Sequence, residues 1–133
     1  MVTDILVVDD TADCREPLAR FLKHSGYGTA MAASGHEALA YLQKHHADVI
    51  LLDLMMPEMD GVAFLKKLRS DDAWRDLPVI LVTAVSEGPV LDHAYTLGIR
   101  ASLVKGCFSG DELLARLREA CGISPLPEAD AGD

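Results

Sequence analysis

The chain has few cysteines and no long apolar run. Its three cysteines, Cys14, Cys107 and Cys121, are an odd set without C-x-x-C spacing, which favours free thiols in a reducing compartment over a disulfide framework. No run approaches the about 20 apolar residues that a membrane span needs. The opening MVTDILVVDD has neither the basic start nor the apolar length of a signal peptide. We therefore expect a cytoplasmic protein that does not enter a membrane.

Basic residues are also scarce. The formal net charge is −9, which argues against direct nucleic-acid binding, because that requires a basic surface to displace counterions. The sequence contains neither G-x-G-x-x-G nor a P-loop, so it gives no support to a nucleotide-binding protein. A strongly acidic chain is compatible instead with a site that concentrates carboxylates and takes up a cation.

The length of 133 residues, half of them apolar, fits one globular domain. We assign residues 1–122 to that domain. Residues 123–133 contain two prolines and the acids Glu128, Asp130 and Asp133, with no apolar periodicity. This composition predicts a flexible tail or the stub of a linker.

Five short apolar runs alternate with stretches of helical spacing. The runs are ILVVD (5–9), GTAMA (28–32), VILLD (49–53), PVILVT (78–83) and ASLVK (101–105). Continuous apolarity is typical of strands that are covered on both faces. Five strands alternating with five helices predict an α/β fold, a doubly wound parallel sheet in three layers.

Two helix starts carry a sequence signal. Ser109 and Glu112 have the spacing of a capping box, which predicts the beginning of the last helix. Pro17 is expected near the first turn of the first helix, where its missing N–H costs little.

Polar residues follow the predicted strands at the ends where ligands bind in open parallel sheets. Asp9 and Asp10 follow the first strand, Asp53 the third, Thr83 the fourth and Lys105 the fifth. Each has an ordinary explanation alone, since Asp10 can cap a helix, Thr83 can form a turn and Lys105 can be a surface charge. Their convergence on one edge of the sheet favours a functional site.

The chemistry of this group points to phosphoryl transfer. Three neighbouring carboxylates repel one another unless they share a cation, and Mg²⁺ is the most plausible one. A carboxylate beside Mg²⁺ and a lysine can attack a phosphoryl group and hold it as an aspartyl-phosphate. We assign Asp53 as the nucleophile and Asp10 as a direct metal ligand, with Asp9 binding the metal directly or through water. Lys105 would pair with phosphoryl oxygens, and Thr83 would donate its hydroxyl to one of them.

The motifs ILVVDD, LLDLMMPEMDG, VILVTA and the lysine of ASLVK, in this order, resemble the receiver domain of two-component response regulators. The resemblance covers about residues 4 to 121. It implies a flavodoxin-like fold and phosphotransfer from a histidine kinase or phosphotransfer protein to Asp53. It further implies Mg²⁺ held by Asp9, Asp10, Asp53 and the backbone carbonyl of Met55. Such a domain catalyses only its own phosphorylation and dephosphorylation, so it is not an enzyme in the usual sense.

Three residues depart from the family pattern. Gly106 stands where a proline, commonly in cis, usually follows the lysine, which predicts a different path for this turn. Ser102 stands where an aromatic residue commonly takes part in the response to phosphate. We infer that the usual threonine–aromatic switch is absent. Met55 is apolar at a position that is often polar, beside the water that would attack the phosphate.

The resemblance also implies a surface for partners. Receivers commonly dimerise or meet a downstream protein through the fourth helix, fifth strand and fifth helix, where Val90, Leu91 and Tyr95 lie. Core packing is an equally good explanation of these three residues. The five histidines are expected at the surface, and Trp74 is expected to be a local packing anchor.

Two other functions compete with the phosphoacceptor. A phosphorylation-independent interaction module would explain the altered Gly106 and Ser102 positions, although such modules usually lose pocket acids that this chain keeps. A phosphohydrolase of the haloacid-dehalogenase type requires D-x-D after the first strand. Here Thr11 stands two places after Asp9, and the match fails.

Overall fold

Five strands and five helices alternate along residues 3–121, the part of the chain that a computed structural model describes. The strands are β1 (Asp4–Val8), β2 (Gly28–Ala32), β3 (Val49–Leu52), β4 (Val79–Thr83) and β5 (Ala101–Val104). The helices are α1 (Ala12–His24), α2 (Gly35–Lys44), α3 (Gly61–Arg69), α4 (Pro89–Leu97) and α5 (Gly110–Ala120). All ten elements occur in the predicted order. Three predicted strands end one residue early, so that Asp9, Asp53 and Lys105 follow their strands directly.

The strands form one parallel sheet in the order β2-β1-β3-β4-β5. The order reverses between β1 and β3, the point at which open α/β sheets bind ligands. Val8 pairs with Leu52 across these two strands. Because the two strands end in register, the residues that follow them, Asp9 and Asp53, emerge side by side.

Alternate residues of the strands point to opposite faces of the sheet and pack into two apolar layers, one on each face. Leu6 and Val8 belong to the layer covered by α2, α3 and α4, whereas Ile5 and Val7 belong to the layer covered by α1 and α5. All four residues are at most 1 % exposed. The strands are continuously apolar because helices cover both faces of the sheet, which confirms the three-layer, flavodoxin-like fold.

Side chains cap three of the helices. Ser34, Asp60 and Ser109 precede α2, α3 and α5, and each accepts a hydrogen bond from the backbone N–H three residues later. The prediction that Ser109 and Glu112 mark the start of the last helix is therefore confirmed, with 3.1 Å between the Ser109 hydroxyl and the Glu112 N–H.

The expected place of Pro17 in the first turn of α1 is wrong. The helix begins at Ala12, so Pro17 is its sixth residue and lies inside it. The earlier start has a local cause: the carbonyl of Thr11 accepts from the N–H groups of Cys14 and Arg15, which closes the first turn of the helix.

The predicted tail, residues 123–133, and the predicted domain boundary at residue 122 lie outside the described residues. None of the helices within residues 3–121 is long and apolar enough to cross a membrane.

Candidate functional site

Three acids meet at the edge of the sheet where β1 and β3 end. Asp9 and Asp53 are each 4 % exposed, while Asp10 is exposed at the rim. One carboxylate oxygen from each of the three lies within 4.8 Å of the others. The convergence predicted for Asp9, Asp10 and Asp53 is therefore present. The first helix is capped at Thr11, so Asp10 does not serve as its cap.

Lys105 links the two buried acids. Its ammonium lies 2.8 Å from Asp9 Oδ2 and 3.0 Å from Asp53 Oδ2. The other oxygen of each acid accepts from a backbone N–H: Asp9 Oδ1 from Thr11 at 2.9 Å, and Asp53 Oδ1 from Met55 at 3.2 Å. Each carboxylate is thus held by two donors, one a backbone amide and the other the Lys105 ammonium.

The ionisation of Lys105 is set by these contacts. Partial burial disfavours the charged ammonium, but the hydrogen bonds and charges of Asp9 and Asp53 outweigh that effect. Together they raise the pKa of Lys105 above its ordinary value. The side chain is therefore a permanent cation at neutral pH, placed against the acid that the sequence identifies as the nucleophile.

Thr83 is the last residue of β4 and is fully buried. Its hydroxyl oxygen accepts from the N–H of Val85 across 3.4 Å, a long and weak contact. Such a contact leaves the hydroxyl proton available as a donor. Thr83 lies at the same edge of the sheet as the acids, next to β3 and β5 in the strand order.

The turn after Lys105 follows the path that glycine allows. The N–H of Cys107 donates to the carbonyl of Val104 across 2.9 Å, which closes a four-residue β-turn. Gly106 occupies its third position with φ of +78°, as a type II turn requires. All peptide bonds within residues 3–121 are trans. The predicted departure of this turn is confirmed, and the N–H of Lys105 remains bonded to the carbonyl of Thr83 at 2.9 Å.

Met55 and Ser102 are the other two departures. The Met55 side chain is 59 % exposed, and the backbone N–H of Met55 donates to Asp53 Oδ1. Ser102 is in β5 and pairs with Leu81 of β4, which lies two residues before Thr83.

Two contributors escape prediction from the sequence. Arg15 donates from Nη1 to the backbone carbonyl of Asp9 across 2.8 Å, which fixes the peptide between Asp9 and Asp10. In the sequence it is one of several charges on α1, and no pattern distinguishes it. Gly61, the first residue of α3, lies against the backbone of Asp53 and Leu54; its only signal is its place at the end of the motif LLDLMMPEMDG.

An apolar cavity of about 380 Å³ opens beside Asp9 and Lys105, between α1 and α5. Its walls are mostly side chains from these helices and from the β5–α5 connection, namely Pro17, Leu18, Phe21, Phe108 and Leu113. Phe21 is 36 % exposed. The acidic pocket is thus bordered by a surface on which another molecule could rest.

The remaining residues singled out from the sequence fall into two groups. On α4, Val90 and Tyr95 are 44 % and 50 % exposed, but Leu91 is 8 % exposed and packs in the core. The partner-surface interpretation therefore remains open only for Val90 and Tyr95. All five histidines are exposed, and Trp74 packs against the larger core layer, as predicted.

The donor set fits a hard divalent cation. It consists of carboxylate oxygens, the ligands that Mg²⁺ prefers, and one of the three acids is exposed and open to solvent. The ammonium that joins Asp9 to Asp53 already supplies one positive charge there. The three carboxylates of the pocket therefore favour the binding of cations.

Comparison with known proteins places this arrangement in a family. Residues 5–118 match the family described as the response regulator receiver domain. Response regulator Rre1 of Synechocystis is 40% identical over 115 residues, which is 86% of this chain and 49% of that protein. Response regulator MprA of Mycobacterium ulcerans is 36% identical over the whole chain and 56% of its own length. The chain spans about half the length of these relatives.

Solved structures of response regulators and receiver domains have the same fold as this chain. The chemotaxis protein CheY4 of Vibrio cholerae superposes with a TM-score of 0.83 at 32% identity, covering 90% of this chain and 99% of that one. The receiver domain of the sensor histidine kinase PA1611 from Pseudomonas aeruginosa gives 0.83 at 25% identity, covering 92% and 99%. That protein holds a magnesium ion in its active-site cleft. The family match over most of the chain, the fold and the acid–lysine pocket lead to one conclusion: the chain belongs to the response regulator receiver domain family of two-component signalling.

Proposed function

We propose that this receiver domain accepts a phosphoryl group on Asp53 from a histidine kinase or a phosphotransfer protein, and passes the signal to a partner protein. One observation carries the proposal: the buried Asp53 carboxylate lies 3.0 Å from an ammonium that also holds Asp9. A carboxylate next to a cation suits nucleophilic attack on an anionic phosphoryl group.

The transfer makes one bond and breaks one. A carboxylate oxygen of Asp53 forms a bond to phosphorus as the phosphorus–nitrogen bond of the donor phosphohistidine breaks. The electron pair of that bond returns to the imidazole, which takes up a proton. The product is an acyl phosphate on Asp53, and its hydrolysis returns the carboxylate and inorganic phosphate. The domain would catalyse only these two reactions on itself.

Asp9, Asp10 and Asp53 would hold Mg²⁺, together with the backbone carbonyl of Met55. The bound ion would neutralise charge on the transferred phosphoryl group. Support comes from the all-oxygen donor set within 4.8 Å and from the magnesium ion in the cleft of the related PA1611 receiver.

Lys105 and Thr83 would act on the transferred group. The Lys105 ammonium touches Asp53 Oδ2, and would move from that oxygen to the phosphoryl oxygens once Asp53 is phosphorylated. Thr83, with its hydroxyl proton uncommitted, would donate to another phosphoryl oxygen. Because the β4–α4 connection begins at Thr83, such a bond would draw that connection towards the site. Ser102 supplies no aromatic ring to follow this movement, so the response would travel through backbone shifts.

The proposed partners have separate surfaces. A phosphodonor protein would rest on the apolar cavity between α1 and α5, which adjoins Lys105. A downstream protein, or a second copy of the chain, would use the face of α4, β5 and α5, where Val90 and Tyr95 are exposed. The three free cysteines suit the cytoplasm as the compartment. Neither nucleic acid nor membrane has a part in this proposal.

The test is intact-protein mass after incubation with acetyl phosphate, with and without Mg²⁺. Wild-type protein should gain one phosphoryl group only when Mg²⁺ is present, and Asp53→Asn should gain none. Asp60→Asn is the matched control, because Asp60 is an exposed helix cap of the same loop and its loss should leave the adduct intact. An adduct on Asp53→Asn equal to that of the wild type would contradict the proposal.

The alternative is an interaction module that does not use phosphate. The glycine turn after Lys105 and the serine at position 102 favour it. It predicts no adduct and no beryllofluoride binding, together with a partner that binds wild type and Asp53→Asn equally well.

A further inference from the structure

Three helices of this domain begin with glycine, and the three glycines have different neighbours. Gly35, Gly61 and Gly110 are the first residues of α2, α3 and α5. A methyl group added at any of them would come within 2.7 Å of another atom. None of the three has a positive φ. Space, rather than backbone conformation, is therefore what each position requires.

At Gly35 and Gly110 the obstacle is a side chain. An added Cβ at Gly35 would meet the sulfur of Met59 at 2.7 Å, and one at Gly110 would meet the ring of Phe21 at 2.6 Å. Methionine is unbranched and adaptable, and Phe21 is 36 % exposed, so both side chains can give way.

At Gly61 the obstacle is the main chain that carries the phosphoacceptor. An added Cβ would lie 2.6 Å from Leu54 Cα and 2.8 Å from the carbonyl oxygen of Asp53. The N–H of Gly61 also donates to the carbonyl of Leu54 across 2.8 Å. On the other side, the N–H of Asp53 is bonded to the carbonyl of Val8 at 3.0 Å. The main chain of Asp53 and Leu54 is thus held between β1 and the first residue of α3.

We propose that Gly61 is a positioning residue for Asp53: the missing side chain lets α3 close against the Asp53–Leu54 peptide and fixes the nucleophile opposite Asp9 and Lys105. Any side chain at position 61 moves that peptide by about 0.8 Å before an ordinary contact of 3.4 Å is reached. Displacements of about 1 Å can slow a positioned reaction about 100-fold. The inference rests on the proposed phosphoacceptor function.

The experiment compares Gly61→Ala with Gly35→Ala and Gly110→Ala. All three substitutions add the same methyl group at the same helix position, so they share any change in helix propensity. Circular dichroism first establishes the temperature range in which each variant is folded. Within that range, the Mg²⁺ dissociation constant is measured by calorimetry, and the rate of phosphorylation by acetyl phosphate by intact mass.

Gly61→Ala should phosphorylate about 100-fold more slowly and bind Mg²⁺ about 10-fold more weakly, while the two controls stay close to wild type. Rates and affinities of Gly61→Ala that match those of the controls would overturn the proposal. If wild-type protein takes up no phosphoryl group, the proposed function fails, and the Mg²⁺ comparison alone decides the role of Gly61.

A measurement on wild-type protein applies if Gly61→Ala does not fold. Beryllofluoride with Mg²⁺, which imitates a phosphoryl group on an aspartate, is added, and hydrogen exchange of the Gly61 amide is followed by NMR. Because that amide is bonded to the carbonyl of Leu54, the residue after Asp53, its exchange should slow. Unchanged exchange at Gly61, with beryllofluoride bound at Asp53, would overturn the proposal.

Discussion

Replacing Lys105 with methionine removes the cation between Asp9 and Asp53 and keeps most of the side-chain length. One oxygen of Asp9 lies within 4.8 Å of one oxygen of Asp53, so the two carboxylates repel each other by about 3.5 kcal/mol or more at an effective dielectric constant of about 20. Breaking a buried ion pair by removing one partner costs about 3–5 kcal/mol. Since the Lys105 side chain is 24 % exposed, we expect Lys105→Met to lose about 3 kcal/mol of unfolding free energy without Mg²⁺.

The same substitution should strengthen Mg²⁺ binding. In the wild type the ammonium occupies one oxygen of Asp9 and one of Asp53, so a metal ion must compete with it. Loss of that competitor should tighten Mg²⁺ binding about tenfold or more, because about 1.4 kcal/mol corresponds to a factor of ten. Phosphorylation should nevertheless slow, since Lys105 no longer meets the phosphoryl oxygens.

Urea denaturation with and without Mg²⁺, together with calorimetric titration of Mg²⁺, measures both effects. Lys67→Met is the matched control, because Lys67 is an exposed lysine on α3 and its replacement should change neither quantity. A stability of Lys105→Met within about 0.5 kcal/mol of the wild type, or an unchanged Mg²⁺ affinity, would refute the reasoning.

Three further predictions concern other parts of the domain. Arg69 donates to the carbonyls of Trp74, Arg75, Leu77, Leu97 and Gly98, so Arg69→Met should lower the unfolding free energy in urea by about 2–4 kcal/mol; a loss below about 0.5 kcal/mol would contradict this. Phe21→Ala should slow phosphotransfer from a kinase while leaving phosphorylation by acetyl phosphate unchanged, and equal slowing of both would argue against a donor surface there. Burial alone would raise the pKa of Asp48, but hydrogen bonds from the Asp4 N–H and from His46, together with the charge of His46, outweigh burial and lower that pKa. Wild-type protein should therefore be more stable than Asp48→Asn. This difference should be complete above the ordinary aspartate pKa of about 3.9 and vanish as the pH falls through the lowered pKa of Asp48. An advantage that persists in acid, measured by thermal unfolding between pH 2 and 7, would show that Asp48 contributes otherwise.

The fold was predictable because its signals are local and agree with one another. Each strand is a short apolar run, and a charged residue directly follows β1, β3 and β5. The spacing of Ser109 and Glu112 predicts the start of α5. The convergence of Asp9, Asp10, Asp53, Thr83 and Lys105 also followed, since parallel strands place their carboxyl ends on one edge.

What escaped prediction depends on packing between segments far apart in the chain. Pro17 was misplaced because α1 starts at backbone hydrogen bonds to the Thr11 carbonyl, and the Thr11 side chain makes no cap hydrogen bond. The contact between Gly61 and the Asp53–Leu54 peptide arises only when α3 closes on β3, and composition gives no sign of it. Arg15 and Arg69 bind backbone carbonyls, and such partners leave no charge pattern in a sequence.

Leu91 shows the same limit on a smaller scale. Val90, Leu91 and Tyr95 are equally apolar in the sequence, and only the orientation of α4 decides which of them enters the core.

The central claim is that Asp53 is the phosphoacceptor, and the most direct test is to locate the phosphoryl group. Protein treated with acetyl phosphate and Mg²⁺ is reduced with borohydride, which converts an aspartyl-phosphate into homoserine, and the peptides are sequenced by tandem mass spectrometry. The account predicts homoserine at position 53, with Asp9 and Asp10 unchanged. Homoserine at position 9 or 10, or a phosphorylated protein with Asp53 intact, would contradict it.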